Sequence, residues 1–170
     1  MRAVALASRL ALALSLFAAA CEEPSTLTLP TVDEIEDYYD SVADLEEAEV
    51  NGNVVVIVVR QSSEQLRRGG AIWARVGPYI YLFSEETRKL FEDFDGVAGV
   101  RVVTRTPSGS TVANALLARD ELTGVLWRRA LNISGRARRD GSERVTLLED
   151  LIEWGEDHTE FEYSPRYVPR

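Results

Sequence analysis

The stretch Val54-Val55-Val56-Ile57-Val58-Val59 places six β-branched apolar side chains in a row. Such side chains lose rotamer freedom in a helix and suit the pleated surface of a sheet. A strand with one wet face alternates apolar and polar residues. This run does not alternate, so it is expected as a central strand covered on both faces. Working outward, Val97 to Thr106 reads as another strand. Pro107-Ser108-Gly109-Ser110 turns the chain, and Thr111 to Leu117 reads either as its hairpin partner or, almost as well, as the start of a helix. Between these, Ala71 to Val76 and Tyr79 to Phe83 flank Gly77-Pro78, a tight-turn signal, and are expected as two further strands. Alternation would then set Tyr79, Tyr81 and Phe83 against Ile80 and Leu82.

The helical signals lie around this sheet. Thr31-Val32-Asp33-Glu34 fits a capping box, and Ile35, Tyr38, Tyr39, Val42 and Leu45 follow at helical spacing. A helix over 32–48 is expected, ending before Asn51-Gly52. Ser84 can cap a helix with Glu85 and Glu86 in its first turn, burying Leu90, Phe91 and Phe94. From Asp120 to Arg139, Leu122, Val125, Leu126, Ala130 and Ile133 recur every three or four residues. Asp140-Gly141 breaks the pattern, and Ser142 can cap a second helix carrying Val145, Leu148, Leu151 and Ile152. These two make a helical hairpin. In the tail, Phe161 and Tyr163 alternate with Glu160 and Glu162, as in a short edge strand. The expected fold is α+β: an N-terminal helix, a mostly antiparallel sheet of four or five strands with an inserted helix, and a C-terminal helical hairpin.

Charge is unevenly spread along the chain, whose net charge is −9. Residues 21–50 hold eleven acidic side chains and no basic one; residues 51–139 carry a net +6, and residues 140–170 a net −6. Overall acidity argues against a nucleic-acid partner. The opposed signs also raise an internal option, in which the acidic N-terminal arm lies over the basic middle of the chain.

At the N-terminus, Arg2 and Arg9 precede an uncharged run, Leu10 to Phe17, followed by Ala18-Ala19-Ala20 and then Cys21, the only cysteine. A basic start, about 7–15 apolar residues and a small-residue exit define a secretory signal. A spanning helix needs about 20 apolar residues, more than separate Arg9 from Cys21. The segment resembles the lipobox of bacterial lipoproteins, over residues 1–21. That resemblance implies cleavage after Ala20 and lipid attachment at Cys21, with membrane contact through the lipid anchor. Glu22 after the cysteine tilts the same resemblance towards the outer membrane, facing the periplasm, in a two-membrane host. Ala18-x-Ala20 also fits an ordinary secretory signal, which would release a soluble protein. A lone free thiol is unusual in an oxidising compartment, and acylation would remove it. The chain thus divides into a signal over 1–20, an anchor and tether over 21–31, and one domain over 32–170.

Catalytic motifs are missing. The sequence holds no G-x-S-x-G, no phosphate-binding glycine loop and no cofactor fingerprint, so neither an enzyme nor a cofactor is expected. His158, the only histidine, sits among Glu156, Asp157 and Glu160; a proton shuttle or metal ligand would need partners that are missing, and a helix C-terminus is the ordinary explanation. The carboxylates of 149–162 lack a calcium-loop pattern. Arg128, Arg129, Arg136, Arg138 and Arg139 form the sharpest non-catalytic signal. They either complement a helix dipole or dock anionic headgroups, envelope polyanions or an acidic partner. Two functional classes follow: a tethered envelope protein that binds another protein or stabilises an assembly, and a ligand- or lipid-binding protein with a pocket between sheet and helices.

Overall fold

A computed structural model describes residues 27–42 and 44–169. The signal over 1–20, Cys21 and residues 22–26 lie outside the described residues. The architecture is α+β, as expected, with a five-stranded sheet in the order β1-β2-β3-β4-β5. The strands are β1 (Leu45–Asn51), β2 (Val54–Arg60), β3 (Gly99–Arg105), β4 (Thr111–Ala118) and β5 (Glu160–Tyr163). Every neighbouring pair is antiparallel except β2 and β3. Parallel neighbours need a long crossover. Here it holds two helices, α2 (Ser63–Leu82) and α3 (Glu85–Asp93), where one was expected. An N-terminal α1 (Val32–Tyr38) and a C-terminal hairpin, α4 (Gly124–Asp140) with α5 (Val145–His158), complete the molecule.

Two expectations are corrected. The hairpin expected around Gly77-Pro78 is part of α2, which runs through both expected strands. Val76, Tyr79, Leu82 and Phe83 are fully buried at helical spacing, so the helix buries a better stripe than the strands would. Pro78 lacks the N–H that would bond the Ala74 carbonyl, and the helix tolerates the loss. The helix also bends at Gly70, whose φ of 53° and ψ of −133° are not helical. The second correction concerns 32–48. The capping box is present, with Thr31 N–H donating to Glu34 at 2.8 Å, but α1 stops at Tyr38. The acid-rich remainder becomes β1, joined to β2 through Gly52 at φ 63°. In addition, α5 starts from Arg144 rather than from a Ser142 cap.

Register explains the burial of β2. Val55, Ile57 and Val59 share a face with Val100, Val102, Ala115 and Leu117, and all seven are buried under the helices. Full burial of each such aliphatic side chain contributes about 1.5–3 kcal/mol. Val56 and Val58 point the other way and are also buried. Above them the Arg105 guanidinium on β3 reaches Glu47 on β1 at 3.3 Å, so its aliphatic stem crosses β2. Alongside, Arg60 pairs with Glu46 at 2.7 Å. Two acids of β1 therefore pair with arginines from the basic middle of the chain. The domain also gathers chain before α1: Thr28 donates its N–H to Asp95 at 2.7 Å and accepts from the Gly96 N–H at 2.8 Å.

Candidate functional site

Two signals that stand apart in the sequence meet in one groove between α4 and α5, with a volume of about 680 Å³. Arg129 and Arg136 line its α4 side, with Asn132 between them, and Asp150, Glu153 and Asp157 line its α5 side. Trp154, only 7% exposed, lines it as well, with His158 one turn further along α5. The Arg129 guanidinium lies 4.7 Å from the Trp154 ring centroid. The His158 ring stacks on the same indole at 4.0 Å with an interplanar angle of 22°. The His158 Nδ1 bonds the Trp154 carbonyl at 2.9 Å. His158 is thus the last residue of α5, engaged by its own helix end. Trp154 itself is the groove residue that sequence reasoning missed; its position four residues before His158 was the available signal.

The rest of the arginine cluster goes elsewhere. Arg138 lines a separate hollow of about 250 Å³ with Ser41, Tyr81 and Glu86. Arg139 contacts Asp140 at 3.4 Å, and Arg128 is exposed outside the groove. Among the described residues, no three histidine, cysteine or carboxylate side chains are grouped to hold a metal ion.

Both walls of the groove rest on locked supports. Gly155 of α5 sits so close to α2 that a Cβ there would lie 2.5 Å from the Tyr79 ring. Tyr79 Oη and Tyr163 Oη are 2.6 Å apart, and Tyr163 donates to Glu156 at 2.9 Å while Arg75 pairs with the same carboxylate. Burial pushes the Tyr79 phenol up to about 12. Tyr163 is raised further, first by burial and then by its bonds to Tyr79 and Glu156. On the α4 side, Trp127 packs on Phe91 with ring centroids 6.2 Å apart. Just before α4, Arg119 donates to the carbonyls of Phe91, Phe94 and Val97, satisfying the end of α3.

Among the described residues, none of Arg129, Arg136, Asp150, Glu153 and Asp157 closes an ion pair. A cationic wall and an anionic wall on rigid helices can receive a surface that carries both signs. By contrast, a hollow between sheet and α2, beside Gln61 and Thr104, is about 70 Å³. No protein-family model, curated protein or solved structure matches the chain.

Proposed function

We propose that the chain is a lipid-anchored protein of the bacterial cell envelope that works by binding another protein through the α4–α5 groove. The anchor reading rests on the sequence around Cys21. Two acyl chains hold a protein on a bilayer where a single chain is marginal, at about 0.8 kcal/mol per buried methylene. Thr28 lies seven residues beyond Cys21. Fully extended, that stretch spans at most about 25 Å, so the domain would work close to its membrane. In a two-membrane host that surface is the periplasmic face of the outer membrane.

The observation that carries the binding role is the groove with opposed charges that form no ion pair among the described residues, on two supported helices. Its polar walls and open form suit a protein surface better than a buried metabolite. Charges left on a rigid face give an interface its register and its choice of partner. The small size of the hollow beside Gln61 and Thr104, about 70 Å³, supports this reading over a ligand pocket there.

The test has two arms. In membrane fractionation, Cys21→Ser of the full chain should move from the membrane to the soluble fraction; retention of the variant on membranes overturns the anchor. A photo-reactive side chain at Asn132, inside the groove, should give a discrete protein adduct in whole cells. The same probe at Asn114, on the outer face of the sheet, should not. Equal labelling from both positions, or none from Asn132, overturns the groove as the binding surface.

A further inference from the structure

We infer that the partner of the α4–α5 groove is a second copy of this chain, bound about a two-fold axis that runs along the groove. The inference rests on the groove being a binding surface and adds what fills it.

The argument begins with spacing. Arg129 and Arg136 are seven residues apart on α4, and Asp150 and Asp157 are seven apart on α5. At 1.5 Å per residue, both walls therefore repeat their charge at about 10.5 Å. Leu126 and Ile133 repeat at the same interval, so Leu126, Arg129, Ile133 and Arg136 follow the three-four-three spacing of a helix seam. Joined by the four-residue turn over 141–144, α4 and α5 bring Gly141 against Leu148 and Arg129 over Trp154, so they run antiparallel. Arg136 and Asp150 therefore lie near the turn, while Arg129 and Asp157 lie near the open end.

A two-fold axis parallel to the groove exchanges the walls and keeps the height of every residue. It sets each α4 over the α5 of the other copy, with Arg136 opposite Asp150 and Arg129 opposite Asp157. A two-fold axis across the groove would set arginine on arginine and carboxylate on carboxylate. Only the first arrangement is self-complementary in charge. An isologous interface requires that property of a single surface.

The anchor supplies an independent constraint. Arg119, shortly before α4, binds the Phe94 and Val97 carbonyls on either side of the Asp95-Gly96 pair that holds Thr28. The start of α4 and the arriving N-terminal arm thus share one end of the molecule. An axis along the groove leaves both arms at that same end, so two anchors can enter one bilayer. Confinement to one bilayer also raises the effective concentration of each copy for the other.

The test uses full-length anchored protein in its own membranes. Two differently tagged variants, Arg136→Cys and Asp150→Cys, are expressed together or singly, and mild oxidation is applied. A disulfide-linked pair containing both tags, absent when either variant is expressed alone, is the expected result. Linkage within either single variant, or none in the mixture, overturns the two-fold arrangement. Light scattering of the detergent-solubilised chain gives a second reading. Arg136→Asp should weaken the dimer about tenfold or more, and adding Asp150→Arg should restore most of it. A double variant as weak as the single one overturns the pairing. An Asn132 adduct with a different protein would refute the second copy while leaving the groove a binding surface; no adduct at all would remove both.

Discussion

Tyr163 shows how one side chain ties the last strand to the helices that carry the groove. Its hydroxyl meets Tyr79 of α2 and Glu156 of α5, and its backbone pairs with Ala113 on β4. Removing that hydroxyl leaves the fully buried Tyr79 without this partner, and an unsatisfied buried polar group costs about 1–3 kcal/mol. Tyr163→Phe is therefore expected to lower the unfolding free energy by that amount in a denaturant titration. The pH dependence has a definite sign. Both phenols titrate higher in the folded chain than the ordinary value of about 10, Tyr79 up to about 12 and Tyr163 beyond it. Folding thus favours the protonated form. Their contribution is complete below about pH 10 and is lost as pH rises through the folded values. Alkaline unfolding followed by phenolate absorbance should therefore begin above about pH 10, and Tyr163→Phe should flatten it. A variant with wild-type stability at pH 7 would show that the hydroxyl pair contributes nothing net.

At the scale of elements, what the sequence revealed follows from where local and tertiary preferences agree. The β-branched run of β2, the Thr31 and Ser84 caps and the three-four periodicity of α4 and α5 each express a local bias that packing reinforces. The α2 segment expresses two biases at once. Its aromatics alternate like a strand from Tyr79 to Phe83, yet Val76, Tyr79 and Phe83 also lie on one helical stripe, and burial decides for the helix. In β1 the conflict runs the other way. Glu46, Glu47 and Glu49 favour a helix in isolation, but Ala48 and Val50 can pack beside β2 only in an extended chain. Asn51-Gly52 before Val54 was the hairpin signal that a helix-end reading overlooked. The groove was half legible: both charge clusters were visible, but their meeting depends on the turn angle between α4 and α5, which no local pattern encodes. The kink of α2 gives this scale its prediction. Gly70 has open space around its Cβ position, but its φ of 53° with ψ of −133° disfavours any side chain. Gly70→Ala should cost about 1–3 kcal/mol from backbone strain alone. Thermal unfolding should show the midpoint several degrees lower, with the groove still formed. An unchanged midpoint would mean that the bend moves freely to a neighbouring residue.

Across the whole molecule, charge segregation along the chain becomes attraction between its parts. The acid-rich N-terminal segment supplies the edge strand β1, and two of its glutamates reach arginines at the C-terminal ends of β2 and β3. Exposed pairs of this kind contribute at most about 1 kcal/mol each. An edge strand has one backbone ladder rather than two, so a small term matters more there than in β3. Salt separates the contributions, because the Debye length falls from about 10 Å at 0.1 M to about 3 Å at 1 M. Amides of β1 that bond β2 should then exchange several-fold faster at 1 M sodium chloride, while those joining β3 to β4 keep their rates. Arg105→Gln should bring part of that acceleration at 0.1 M, and Arg60→Gln the rest, leaving less for salt to do. If β1 exchanged at the same rate in both salts, its hold would come from the ladder and from Ala48 and Val50 packing alone. The acidity of residues 21–50 would then serve solubility and edge protection rather than adhesion.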